Sequence, residues 1–332
     1  METNLRPLTL GEILDRTAQL YRANFLLFAG IAGVYAGVGL LLNLIILVPV
    51  SRMNAQSLAD GTHLAEFFAA FGVVMLILFL IYGATVAATT RAVAWLHLGE
   101  PATIRDAYTT TLPRLGRYVW LKIIVTFMIF LVALASGIVF GIPVAIVGAV
   151  LGFGGGGGVI FTVLFVLLLY AAIGFFSIWM ALRYALAIPA CVMENLKARK
   201  AIRRSIQLSK GSRGRIFVLW LLVAILWIVL FLVTNGFFLA YTVIQKHQLP
   251  IAFSVLQQFL DALVNTVVVP ISAIGATLFY YDQRIRMEGF DIEWMMQAAG
   301  LTVPEAAAEQ PAAVEAPVLT EASLPAPPEP EA

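Results

Sequence analysis

Six long apolar runs limit what this chain can become. They lie near 25–50, 67–96, 118–150, 159–187, 216–244 and 254–281, each a nearly continuous series of Leu, Ile, Val, Phe, Ala and Gly. A helix needs about 20 such residues to cross a bilayer core. Composition agrees, since 61% of the residues are hydrophobic and 12% charged, against roughly 45–50% and about 25% in soluble domains. The sequence therefore predicts an all-α integral membrane protein with six transmembrane helices.

Basic residues set the orientation. Of the 21 Lys and Arg, only Arg52 and Lys246 fall on one side of the expected topology. The rest lie in the N-terminus, in the 97–117 and 188–215 loops, at the ends of their flanking spans and at the C-terminal end. The positive-inside bias then puts both termini in the cytoplasm, with short outer loops near 51–66, 151–158 and 245–253. Residues 1–24 carry Glu12, Asp15, Arg16 and Arg22 and lack the short apolar core and cleavage site of a signal peptide, so the first span is expected to stay as an anchor. The single cysteine, Cys191, excludes an intrachain disulfide and a cysteine-based metal site.

An internal repeat organises the chain. Glu100, Glu194 and Glu288 each follow an even-numbered span, and "YRANFLLF", "GRYVWLKI" and "GRIFVLWL" each open an odd-numbered one. The pattern suggests three pseudo-repeats, each an amphipathic interfacial helix followed by a helical hairpin. In the first, Leu10, Ile13, Leu14, Thr17 and Tyr21 share one face, and Thr9 with Glu12 forms a capping box. The second, near 103–112, collects Ile104, Ala107, Tyr108, Thr111 and Leu112 before Pro113. The third, near 196–209, has Ala198, Ala201, Ile202 and Ser205 on its less polar side, Asn195 as N-cap and Gly211 as stop. Residues 25–295 form the membrane domain. The Pro/Glu-rich 296–332 segment has the composition of a solvated cytoplasmic tail.

The stretch "LKARKAIRRSIQLSKGSRGR" at 196–215 packs Lys197, Arg199, Lys200, Arg203, Arg204, Lys210, Arg213 and Arg215 into twenty positions without an acid. A basic amphipathic helix directly before a span belongs at the headgroup interface, where its cations reach anionic lipid. The absence of an interleaved aromatic platform argues against nucleic acid.

Three cytoplasmic segments carry a family resemblance: "LRPLTLGEILDRTAQLYRANF" at 5–25, "ALRYALAIPACVMENLKARKAIRRSIQLSKGSRGR" at 181–215 and "LFYYDQRIRMEGFDIEW" at 278–294. They resemble the signature regions of the bacterial membrane-domain family of glycerophosphoryl diester phosphodiesterase. In the enzymes that give the family its name, this domain precedes a soluble barrel bearing the catalytic residues and a metal. Nothing in these 332 residues resembles that barrel, so the resemblance implies a stand-alone, non-enzymatic module in the bacterial inner membrane, with a role near lipids. Arg183, Glu194, Asp282, Arg284, Arg286 and Glu288 lie in the matching segments and are candidates for ion pairing or a headgroup site.

Other chemistry finds little support. His63, His97 and His247 are scattered, and no HExxH, CxxC, GxSxG or phosphate-loop motif occurs, so neither a catalytic centre, a metal nor a cofactor is expected. "FGGGGGV" at 153–159 is read as a hairpin turn. Gln257, Asp261 and Asn265 share one face of the sixth span, and Pro270 follows, a pattern compatible with a polar path. Asn43 and Asn235 are expected to bridge helices. Gly33 with Gly37, Gly137 with Gly141 and Gly148 with Gly152 are expected to allow close helix contact. The preferred reading is a polytopic membrane protein that contacts or organises glycerophospholipids through its basic interfacial helices. A transporter or channel using the sixth-span polar face is the alternative.

Overall fold

The computed structural model describes residues 7–51, 64–151, 156–245 and 250–289. The tail at 296–332, much of the three outer loops, Arg52, His63, Gly152, Lys246 and His247 lie outside them. The described helices belong to the unit Met1–Glu288. Six helices are long and apolar enough to cross a membrane. They are α2 (Phe25–Ser51), α3 (Leu64–His97), α5 (Leu115–Leu151), α6 (Gly156–Tyr184), α9 (Arg213–Gln245) and α10 (Ile251–Glu288). Four shorter helices precede or join them: α1 (Leu10–Ala23), α4 (Ile104–Thr111), α7 (Ala187–Met193) and α8 (Ala198–Leu208). The protein is all-α and multi-pass, and no strand occurs among the described residues.

The last helix is the axis of the bundle. In its most apolar stretch 61% of α10 is buried, whereas the other five spans reach only 6–22%. It packs against α2 and α9 along its length and also meets α1 and α3, while α5 and α6 pair mainly with each other. Small residues permit this. A methyl group added at Gly275 would lie 3.1 Å from Leu219 Cδ1 of α9, and Thr277 reaches Thr90 of α3 at 3.4 Å. Phe127, Leu168, Tyr170, Phe175, Val233 and Ile244 are exposed instead, as lipid-facing side chains should be.

The short helices follow their predicted faces with some differences. Thr9 and Glu12 form the reciprocal capping box of α1, and Ile13 and Thr17 are buried beneath it. Ala107 and Thr111 are buried in α4, whereas Leu112 is 53% exposed and Pro113 lies in a 3-10 turn (Leu112–Arg114) that leads directly into α5. In α8, Ala198, Ala201, Ser205 and Leu208 face inward. Its N-cap is Lys197, not Asn195, which adopts a left-handed backbone (φ 51°) and accepts Arg117 of α5 at 2.7 Å. Gly211, with φ 85°, takes the left-handed position expected of a stop beyond Leu208.

Two further expectations need correction. Asn43 bonds back to the Gly39 carbonyl of its own helix at 2.8 Å instead of bridging to another. Nothing lies within 4 Å of a methyl group added at Gly33 or Gly37, while Gly137 and Gly141 make only ordinary contacts with Ile173 and Leu169 of α6. The close approaches occur at Gly275 and at Gly30, which meets Ile104 of α4. Spacing alone marks small residues but not the neighbour that approaches them. Gly275→Leu is expected to lower stability by about 1–3 kcal/mol through overpacking against Leu219. Thermal unfolding in detergent should show the fall, and an unchanged midpoint would contradict the α9–α10 contact.

Candidate functional site

The short helices gather at one end of the bundle, where α2, α5 and α9 begin and α3, α6 and α10 end. It carries most of the charge and is called the basic end below. Here the chain breaks between α6 and α7, which frees backbone groups. Ser205 of α8 satisfies them, donating to the Arg183 carbonyl at 2.8 Å and accepting from the Leu186 amide at 3.2 Å. That contact fixes α8 by its inner face. Tyr118 and Leu121 of α5 and Ala187, Cys191 and Val192 of α7 pack with Ala198 and Ala201 in one apolar cluster.

One ion-pair network joins α8 to α10. Arg204 Nε lies 2.7 Å from Glu194 Oε1, and both terminal nitrogens of Arg204 reach the Glu288 carboxylate. Tyr280 donates to the same Glu194 oxygen at 2.6 Å, and Arg284 flanks Glu288 at 3.3 Å. Hydrogen bonds to Glu288, then Glu194, outweigh partial burial and raise the Arg204 pKa further above its ordinary value. A bidentate guanidinium–carboxylate pair fixes geometry as well as charge. Arg204 therefore points inward.

A second network fastens the N-terminal segment. The buried Asp282 carboxylate of α10 accepts the Leu8 amide at 2.7 Å, Arg286 Nε at 3.0 Å and Gln283 at 3.0 Å, with Arg215 of α9 at 3.2 Å. The same two arginines donate to the Leu8 carbonyl, at 2.8 Å from Arg215 and 2.6 Å from Arg286. One carboxylate and the backbone of one residue, Leu8, thus collect α9, α10 and the segment leading into α1. The sequence places the end of the sixth span near 281, yet α10 runs on to Glu288 because these charges find partners there. Arg215 consequently belongs to this clamp.

The remaining candidates face elsewhere. Lys197, Arg199, Lys200, Arg203 and Lys210 are exposed, and no carboxylate among the described residues pairs with them. Arg183 and Arg213 flank Trp179, their guanidinium carbons 5.2 and 5.6 Å from the indole ring. The Nε of each is buried without a hydrogen-bond partner. Glu100 is exposed.

At the other end of the spans, Asn235 of α9 donates to Asp261 at 2.8 Å and accepts Gln257 of α10 at 2.7 Å. Asn265 donates to the Asp261 backbone at 2.9 Å. Asn235 bridges helices as expected. The polar face is thus tied into an α9–α10 contact, and none of these residues lines either of the two cavities described in the bundle. Pro270 is buried inside the continuous α10. Among the described residues no group of three or more His, Cys, Asp or Glu is arranged to hold a metal.

Residues 158–295 match the family model of the membrane domain of glycerophosphoryl diester phosphodiesterase. The match runs from the first turn of α6 through α10 and contains both networks except Leu8. The similar segment at 5–25 lies outside it. No curated protein and no solved structure matches the chain. The second half of this multi-pass membrane protein is thus similar to that membrane domain.

The sequence marks Asp282, Arg284, Arg286, Glu194 and Glu288 for ion pairing but counts Arg204 and Arg215 among the lipid-headgroup cations, whereas both pair with these acids. Leu8 and Tyr280 escape it, since nothing local to either signals a distant ion pair. Trp179 and Arg183, four apart on one helix, do carry a local signal. Asp282→Asn is expected to cost about 2 kcal/mol, because two arginines then lose their anion. Thermal unfolding and amide exchange at Leu8 would read it, and unchanged values for both would refute the clamp.

Proposed function

We propose that this protein is a non-enzymatic lipid-contacting module of the bacterial cytoplasmic membrane, with both termini and α8 on the cytoplasmic side. It presents Lys197, Arg199, Lys200, Arg203 and Lys210 to the phosphates of anionic glycerophospholipids. The observation that carries this reading is the division of charge on α8. Its inner face is buried, Arg204 is held by two carboxylates, and the other cations remain exposed without an acid among the described residues.

Physical chemistry supports the lipid over a soluble partner. A juxtamembrane cation near an anionic leaflet gains about 1 kcal/mol, and α8 runs directly into the start of α9 through a short turn. Both termini on the cytoplasmic side follow from an even number of spans and from the basic residues at one end of the bundle. The match to a membrane domain of a glycerophosphoryl diester phosphodiesterase supports glycerophospholipid as the class. Contact is by charge, so it should weaken with salt.

The test uses the whole protein in nanodiscs containing phosphatidylglycerol with a headgroup spin label. Changing Lys197, Arg199, Lys200 and Arg203 together to Gln should reduce the motionally restricted label by roughly half or more, because each neutralised cation forfeits on the order of 1 kcal/mol of attraction to the leaflet. The wild-type signal should fall toward the variant's at high salt. An equal restricted fraction in wild type and variant, with both correctly inserted, would overturn the reading.

A further inference from the structure

A cleft in the bilayer-facing wall, near the basic end, has a chemistry that the exposed face of α8 does not explain. Its volume is about 440 Å³, within the roughly 300–1,000 Å³ typical of ligand pockets. The α5–α6 hairpin forms one side, with Lys122, Val125 and Ile129 of α5. Phe217, Leu221 and Ala224 of α9 form the other. The floor is α3 and α10, and α7 closes one end with Ala187 and Pro189.

Three observations specify an occupant. First, the cleft opens sideways: Ile178 and Leu221 on its rim are 48% and 43% exposed. In a bilayer such an opening meets acyl chains rather than water. From Leu121 to Ile129 the wall extends eight residues, about 12 Å, comparable with the ~15 Å of one leaflet of a ~30 Å hydrocarbon core.

Second, the lining is apolar except for a few groups, of which Lys122 is the charged one. Its ammonium lies 5.0 Å from the ring centre of Tyr82, also in the wall, and no carboxylate among the described residues pairs with it. Lysine near a helix end ordinarily snorkels to water. Here it turns into the cleft, where a cation with only an aromatic face beside it still lacks its anion.

Third, two further cations neighbour the lining residues in the chain. Arg213 lies one helical turn before Phe217, and Arg183 sits between the lining residues Leu182 and Tyr184. Each has a buried Nε without a partner beside Trp179. No acid among the described residues lines the cleft. An apolar slot about one leaflet deep, with a lysine in its lining and two arginines one residue or one turn from lining positions, fits an amphiphile with a long tail and an anionic head.

We infer that the cleft between the α5–α6 hairpin and α9 binds one acyl chain of an anionic glycerophospholipid, whose phosphate is received by Lys122 with Arg183 and Arg213. The site is separate from the exposed face of α8 and stands whether or not that face touches headgroups. The bound lipid would be an integral part of the domain, entering laterally between α6 and α9 from the leaflet at the basic end.

The test places the full-length protein in nanodiscs with phosphatidylglycerol carrying a photoreactive diazirine midway along one acyl chain, and maps the adducts by peptide. Adducts should concentrate on 121–129 and 217–224. Lys122→Met, and separately Ala224→Phe, which fills the slot, should each cut that yield roughly fivefold or more. The variant with Lys197, Arg199, Lys200 and Arg203 changed to Gln should keep it. Size-exclusion profile and thermal midpoint would show that each variant is folded. Adducts spread evenly over lipid-facing helices, a yield unaffected by both cleft variants, or equal labelling by a phosphatidylcholine probe would overturn the inference. Loss in the α8 variant alone would also overturn it, by moving the site to α8.

Discussion

The buried carboxylate of Asp282 is where the basic end is tied together. It sits at the end of the most buried helix, and one group accepts from the Leu8 amide, Arg286, Gln283 and Arg215. A carboxylate withdrawn from water is costly unless its lone pairs are filled. Here they are filled by groups from three separate parts of the chain. The same constraint therefore aligns the start of α9, the last turns of α10 and the segment that enters α1. One turn or two further along α10, Glu288 repeats the logic toward α8 through Arg204.

This arrangement separates two uses of positive charge that the sequence presents as one block. Arg204 and Arg215 neutralise carboxylates within the bundle and hold its geometry. Their neighbours on α8 meet no acid among the described residues and stay exposed, while Arg183 and Arg213 turn to an indole ring. In a bilayer such a division has a physical basis. Helix ends reach the interface, where a cation can serve either an internal anion or a lipid phosphate, and the position of the acids just after α7 and on α10 decides which.

Much of the architecture is legible in the sequence because lipid imposes it. Six apolar runs, a capping box at Thr9 and the inner face of α8 are local patterns, and the helices follow them. Pairing across distance is not legible in the same way. Asp282 and Leu8 are far apart in the chain, as are Arg204 and Glu288, and only packing brings them together. Leu8 takes part through backbone atoms, which no residue type signals. Gly33 and Gly37 have the spacing of a contact but not the neighbour. Lys122 reads as part of a span opening, since its turn toward the cleft depends on how α3, α5 and α9 meet. The extent of α10 is underestimated for the same reason, because its terminal charges are stabilised by partners elsewhere.

The central claim is that inward and outward cations do different work. The most direct measurement compares two double variants in the same nanodiscs, recording thermal stability and contact with anionic headgroups for each. Changing Arg204 and Arg215 to Gln should lower the unfolding midpoint by several degrees while leaving headgroup contact of the folded protein unchanged. Changing Arg199 and Lys200 to Gln should do the reverse. If both pairs altered stability and lipid contact alike, the division of charge described here would be wrong.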